Sequence, residues 1–111
     1  MCIRDRNKAN VEIFSDPYKA VIDTDCVMTD KWVSMNDKVN KKTKKKILKP
    51  FQVNKKLMSK ANSDAIFMHC LPVGRGEEVT NEVIDGKQSV VWRQALNRVH
   101  AQKSIIKWCL D

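Results

Sequence analysis

Glycine is scarce in this chain, with three among 111 residues, and none of them opens a phosphate loop. No Gly-x-Gly-x-x-Gly or P-loop pattern occurs, and Gly74 and Gly76 run into Glu77-Glu78, whose charge would repel a phosphate. Nucleotide binding is therefore disfavoured. The four cysteines, Cys2, Cys26, Cys70 and Cys109, are widely spaced and form no Cys-x-x-Cys pair, which argues against a zinc site and against a disulfide framework. No metal and no cofactor is expected, and reduced thiols fit a cytoplasmic protein. No segment approaches the roughly 18 consecutive apolar residues of a membrane span, and Met1 to Arg6 lacks the apolar run of a signal peptide. No membrane association is expected.

Acidic residues are missing from one stretch altogether. The ten lysines from Lys38 to Lys60 have no acid among them, and they account for the whole excess: net charge is +8 with 21 basic and 13 acidic residues, so the remainder carries 11 − 13 = −2. Apolar Ile47, Leu48, Phe51, Leu57 and Met58 punctuate the lysines, which reads as two helical pieces interrupted at Pro50 with the charges on the wet face. Interleaved aromatic or arginine residues for stacking on bases are lacking, so no nucleic-acid partner is expected.

At 111 residues the chain is long enough for one compact domain, burying roughly two-thirds of its unfolded surface, so any missing partner segment would be felt. Val11 to Phe14 alternates and reads as a strand; Asp16 and Pro17 then read as N-cap and first position of a helix over about Tyr18 to Ile22. Cys26 to Met28 reads as a buried strand ending at Thr29-Asp30, followed by a loop from Lys31 to Asp37. Ala65 to Met68 is the clearest buried strand, with His69-Cys70 at its carboxyl end. A short helix near Asn81 to Ile84 stops at Gly86, Ser89 to Trp92 reads as a strand, and Gln94 to Leu110 reads as an amphipathic helix with Leu96, Val99, Ile106 and Leu110 as its core stripe. This alternation predicts an α/β fold, a partial Rossmann-like layer with a mostly parallel sheet flanked by helices.

In such a layer, ligands collect beyond the carboxyl ends of the strands. Two polar clusters fall there: Asp30 with Ser34-Met35, and His69-Cys70-Leu71-Pro72. From its apolar run alone Cys70 reads as a small buried hydrophobe. A Cys-His nucleophile pair would need the two side chains to face one another, and neighbouring residues at a strand end point to opposite faces, so His69 is a poor base for Cys70. Arg98 reads first as a surface charge, and His100 as a solvated or capped helix residue.

Taken as an ordered set, Asp30-Lys-Trp-Val-Ser-Met35, Phe67-Met-His-Cys-Leu-Pro72, Arg75-Gly-Glu-Glu-Val-Thr80, Glu82-Val-Ile-Asp-Gly86 and Asn97-Arg98-x-His100-Ala-Gln-Lys103 resemble the ornithine carbamoyltransferase family. The resemblance implies an amino-terminal extension over 1–8 that matches nothing, and over 9–111 the carboxyl-terminal part of the ornithine-binding domain with the final helix. Nothing matches the family's Ser-Thr-Arg-Thr or His-Pro-x-Gln motifs, which implies a fragment without most carbamoyl phosphate contacts.

The resemblance further implies transfer of a carbamoyl group from carbamoyl phosphate to ornithine, giving citrulline, by an enzyme that is a homotrimer when complete. Asp30 would pair with the α-ammonium of ornithine, and Ser34 and Met35 would lie on a mobile loop closing over it. Cys70 and the carbonyl of Leu71, with a cis Leu71-Pro72 bond, would position the reacting amine and the carbamoyl group. Arg98 would donate to the carbamoyl oxygen. A carbamoyltransferase for another amine, such as putrescine, and a stand-alone basic binding module are the alternatives.

Overall fold

The computed structural model describes residues 11–33 and 40–111. The expected extension over 1–8 and the loop residues Ser34 and Met35 lie outside the described residues. Helix α1 spans Pro17–Ala20, strand β1 Cys26–Thr29, helix α2 Lys41–Leu48, a 3-10 turn Lys49–Phe51, helix α3 Lys55–Met58, strand β2 Ile66–His69, helix α4 Asn81–Ile84 and helix α5 Val91–Leu110.

The start of α1 agrees with the sequence reading. Asp16 caps α1 by accepting from the Tyr18 N–H at 2.9 Å, with Pro17 at the position whose missing N–H costs nothing. Asn40 caps α2 and Asn54 caps α3 in the same way, through the Lys42 and Leu57 N–H groups.

Strands β1 and β2 pair in parallel with Cys26 opposite Ile66, Val27 opposite Phe67, Met28 opposite Met68 and Thr29 opposite His69. Side chains alternate across a strand, so Val27, Phe67 and His69 face inward while Met28 and Cys70 face out. The parallel α/β layer is thus as expected. Val21, Val27, Leu57, Met58, Phe67, Val79, Val83, Ile84 and Val91 close the core beneath it.

Besides the exposure of Cys26 and Met28 in the strand expected to be buried, Met28 by 58%, three expectations fail. Val11–Phe14 forms no ladder among the described residues and is exposed, Ile13 by 88%; alternation alone makes no strand without a neighbour to pair with. Ser89 to Trp92 contributes a single parallel bridge, Ser89 to Phe67, flanked by the Phe67 N–H to Gln88 and Val90 N–H to Phe67 carbonyl bonds. Beyond it the chain turns at once into α5, which begins at Val91 and not Gln94, because Val91 is needed in the core. The expected core stripe of α5 is the third. Leu96, Val99, Ile106 and Leu110 are 60%, 47%, 59% and 81% exposed, so they are no part of this chain's core. Only the first turns of α5 meet the sheet.

The lysine-rich segment is not merely wet. Ile47 and Phe51 stay largely exposed, yet Lys45 pairs with Glu77, and the Gln52 amide donates to the Gly76 carbonyl at 2.7 Å and the Glu77 carbonyl at 2.6 Å. The inner edge of this segment is a brace for the turn at 74–78. Gly76 sits there at φ +78°, a conformation that L side chains rarely adopt. No helix among the described residues is long and apolar enough to cross a membrane.

Candidate active site

Because Thr29 lies opposite His69, the next residues of the two strands, Asp30 and Cys70, emerge side by side at the carboxyl edge of the sheet. Forty residues apart in sequence, they touch. The Cys70 Sγ–H donates to Asp30 Oδ1 at 3.0 Å, and the Lys31 N–H donates to the same oxygen at 2.6 Å. Both residues are exposed, and neither donor takes Oδ2.

These bonds decide the charges. The Cys70 thiol and the Lys31 N–H hold the Asp30 carboxyl below its ordinary range, since both stabilise the ionised form. The carboxylate pushes Cys70 above the ordinary thiol range, first by accepting its proton's hydrogen bond, then with some desolvation and charge repulsion. Cys70 therefore stands as a neutral thiol at pH 7, a donor and a shape, not an activated nucleophile.

Beside it, the Leu71-Pro72 bond is cis, as expected, with Leu71 at φ +44°. The Gln94 Oε1 accepts from the His69 N–H at 3.0 Å, tying α5 to the end of β2. Arg98 stands one helical turn further on the same face of α5, and its positive charge acts on the Cys70 thiol. The helix is thus the arm that brings a cation to the strand ends.

His69 turns the other way. Its side chain is fully buried, with Nε2 3.2 Å from the Glu78 Oε1 of an equally buried carboxylate. His69 and Cys70 diverge as the strand geometry requires. Thr29 and Asp30, Cys70 and Leu71, and the α5 residues Gln94 and Arg98 converge; Ser34 and Met35 lie outside the described residues. His100 takes no part in these bonds.

The whole of this geometry falls within a matched region. Residues 3–109 match the family model for the Asp/Orn binding domain of aspartate/ornithine carbamoyltransferase. The chain belongs to that family. It is 60% identical over 111 residues to the ornithine carbamoyltransferase of Rhodopseudomonas palustris, covering 97% of this chain and 36% of the relative. Among solved structures it is similar to ornithine carbamoyltransferase from Pyrococcus furiosus, with 55% identity and a TM-score of 0.75 over 82% of this chain and 29% of that one. The ornithine transcarbamoylase of Giardia lamblia superposes with a TM-score of 0.82 at 37% identity, over 94% of this chain and 33% of that one. The chain thus spans about a third of the length of the relatives it matches.

Within this carbamoyltransferase domain, two contributors went unread in the sequence. Gln94 lies one turn before Arg98, a spacing that places both on one helix face. Glu78 reads in the sequence only as half of an acidic pair hostile to phosphate, and nothing local tells which of Glu77 and Glu78 turns inward.

Proposed function

We propose that this chain supplies the ornithine side of an ornithine carbamoyltransferase active site, residues 9–111 being the carboxyl-terminal part of its ornithine-binding domain. The contact of Cys70 with Asp30 at adjacent strand ends carries the reading, because it sets a fixed anion beside a neutral donor and within the field of Arg98.

The Asp30 Oδ2, to which none of the described residues donates, accepts from the α-ammonium of ornithine, which leaves the side-chain amine as the end that reacts. Cys70 and the Leu71 carbonyl orient that amine. Its nitrogen forms the new bond to the carbamoyl carbon; the bond from that carbon to the phosphate oxygen breaks, phosphate leaves, and the nitrogen gives up a proton to yield citrulline. Arg98 donates to the carbamoyl oxygen as charge builds in the tetrahedral transition state. Ser34 and Met35 belong to the loop that covers the substrate and excludes water. A cytoplasmic homotrimer, with carbamoyl phosphate held mainly outside these 111 residues and no cofactor, fits the reading, as does a role in arginine metabolism.

The test joins these residues to the remaining two-thirds of the Rhodopseudomonas relative and measures citrulline formed from ornithine and carbamoyl phosphate. Ornithine is expected to be carbamoylated and putrescine to be a poor substrate. Equal efficiency with putrescine would overturn the ornithine assignment, and no product from either would overturn carbamoyl transfer.

A further inference from the structure

Between Cys70 and Leu71 on one side and the brace of the lysine segment on the other lies a buried polar chain that the transfer reaction does not itself use. The Leu71 N–H, which can only donate, donates a hydrogen bond to His69 Nδ1 at 3.0 Å. Nδ1 therefore carries no hydrogen, and in the neutral ring the hydrogen sits on Nε2, directed at Glu78 Oε1 3.2 Å away. The same Oε1 accepts from the Gly74 N–H. Glu78 is held in turn by its backbone: its carbonyl accepts from the Val53 N–H at 2.9 Å, and the Thr80 N–H donates to the Val53 carbonyl at 3.0 Å.

The space for this carboxylate depends on residue 74 having no side chain. A Cβ at Gly74 would lie 2.6 Å from Glu78 Oε2. That oxygen is buried with no hydrogen-bond partner among the described residues, so the pair is a costly filling for a core that an apolar residue would fill at lower cost. Orientation, not stability, is what the arrangement supplies.

We propose that Glu78 is a positioning residue: through Nε2–H it fixes the tautomer and ring plane of His69, whose Nδ1 then holds the Leu71 N–H and keeps the Cys70–Leu71 turn against Asp30. The inference rests on the proposed carbamoyl transfer only for the substrate atoms that this turn would hold. Residues 52 and 53 extend the clamp, linking the lysine-rich segment to the 74–80 turn through amide and backbone hydrogen bonds.

The test needs no substrate. In the 111-residue chain, nitrogen NMR of the imidazole is expected to show His69 protonated at Nε2 and bare at Nδ1; a hydrogen on Nδ1 would overturn the proposal. Peptide-resolved alkylation then reports on the turn, since Asp30 and the field of Arg98 are the charged groups acting on the Cys70 thiol. Glu78→Met removes the acceptor, and Cys70 is expected to alkylate about three- to tenfold faster near neutral pH as it leaves Asp30. Glu78→Gln keeps an acceptor oxygen and is expected to stay within about twofold of wild type. An unchanged Cys70 rate in folded Glu78→Met, or equal acceleration in both variants, would overturn the clamp. If Glu78→Met does not fold, the wild-type tautomer and the Glu78→Gln rate decide. Failure of the citrulline assay would remove the proposed reaction and leave these results standing.

Discussion

Asp30→Asn probes both halves of the strand-end site at once. The substitution keeps size and one acceptor oxygen but removes the charge that faces Cys70 and, on the proposed reading, the ornithine α-ammonium. For ornithine the magnitude depends on water. Exposed as Asp30 is in this chain, an ion pair in the open is worth roughly 0.2 to 1 kcal/mol, less than about fivefold in affinity. Under a closed loop that excludes water, a charge-assisted hydrogen bond is worth about 1.5 to 3 kcal/mol, roughly ten- to a hundredfold. Calorimetric titration of ornithine into the joined enzyme is therefore expected to show a complex at least about tenfold weaker for Asp30→Asn than for the unsubstituted protein. The second readout needs only this chain. The main cause of the raised Cys70 titration is its bond to Asp30, so in Asp30→Asn the thiol is expected to titrate lower and alkylate faster at mildly alkaline pH. Unchanged ornithine affinity would refute the role of Asp30 toward the α-ammonium. An unchanged Cys70 profile would refute the contact itself.

Asp30 should titrate below the ordinary 3.8 in a carbon NMR titration. Because its folded value lies below the unfolded one, the small stabilisation it brings is present above the unfolded value and lost as pH falls through the folded one; a midpoint at or above 3.8 would contradict the two donors. Phe67→Ala, at a fully buried core position of β2, is expected to cost about 3 to 5 kcal/mol in urea unfolding, and a loss under about 1 kcal/mol would mean the core is elsewhere. Leu96→Ser together with Val99→Ser is expected to change the stability of this chain by less than about 0.5 kcal/mol per site, as their exposure requires. Neutralising Lys41, Lys42 and Lys46 should likewise leave urea unfolding nearly unmoved, whereas Gln52→Ala should loosen the 74–78 turn, seen as faster amide exchange at Gly76 and Glu77.

Features under short-range control were legible in the residues themselves. Asp16 and Pro17 specify a helix start from their own hydrogen-bonding and ring geometry, and Cys26 to Thr29 and Ile66 to His69 carry their strand character in a few apolar residues. The divergence of His69 and Cys70 follows from the two-residue period of any strand. The rest came with tertiary packing, because it depends on partners far along the chain. The alternation at Val11 to Phe14 and the stripe of α5 look like buried faces in sequence, but a face is buried only if something in the chain covers it, and none of the described residues covers Ile13 or Leu96. Register put Asp30 beside Cys70, since one residue of slip between β1 and β2 would have separated them. The inward turn of Glu78, and not Glu77, came from a brace at Gln52 and Val53, which lie 25 residues upstream of the pair they hold. Periodicity cannot choose between adjacent acids; only the packed chain, with room above Gly74 and a donor on His69, could.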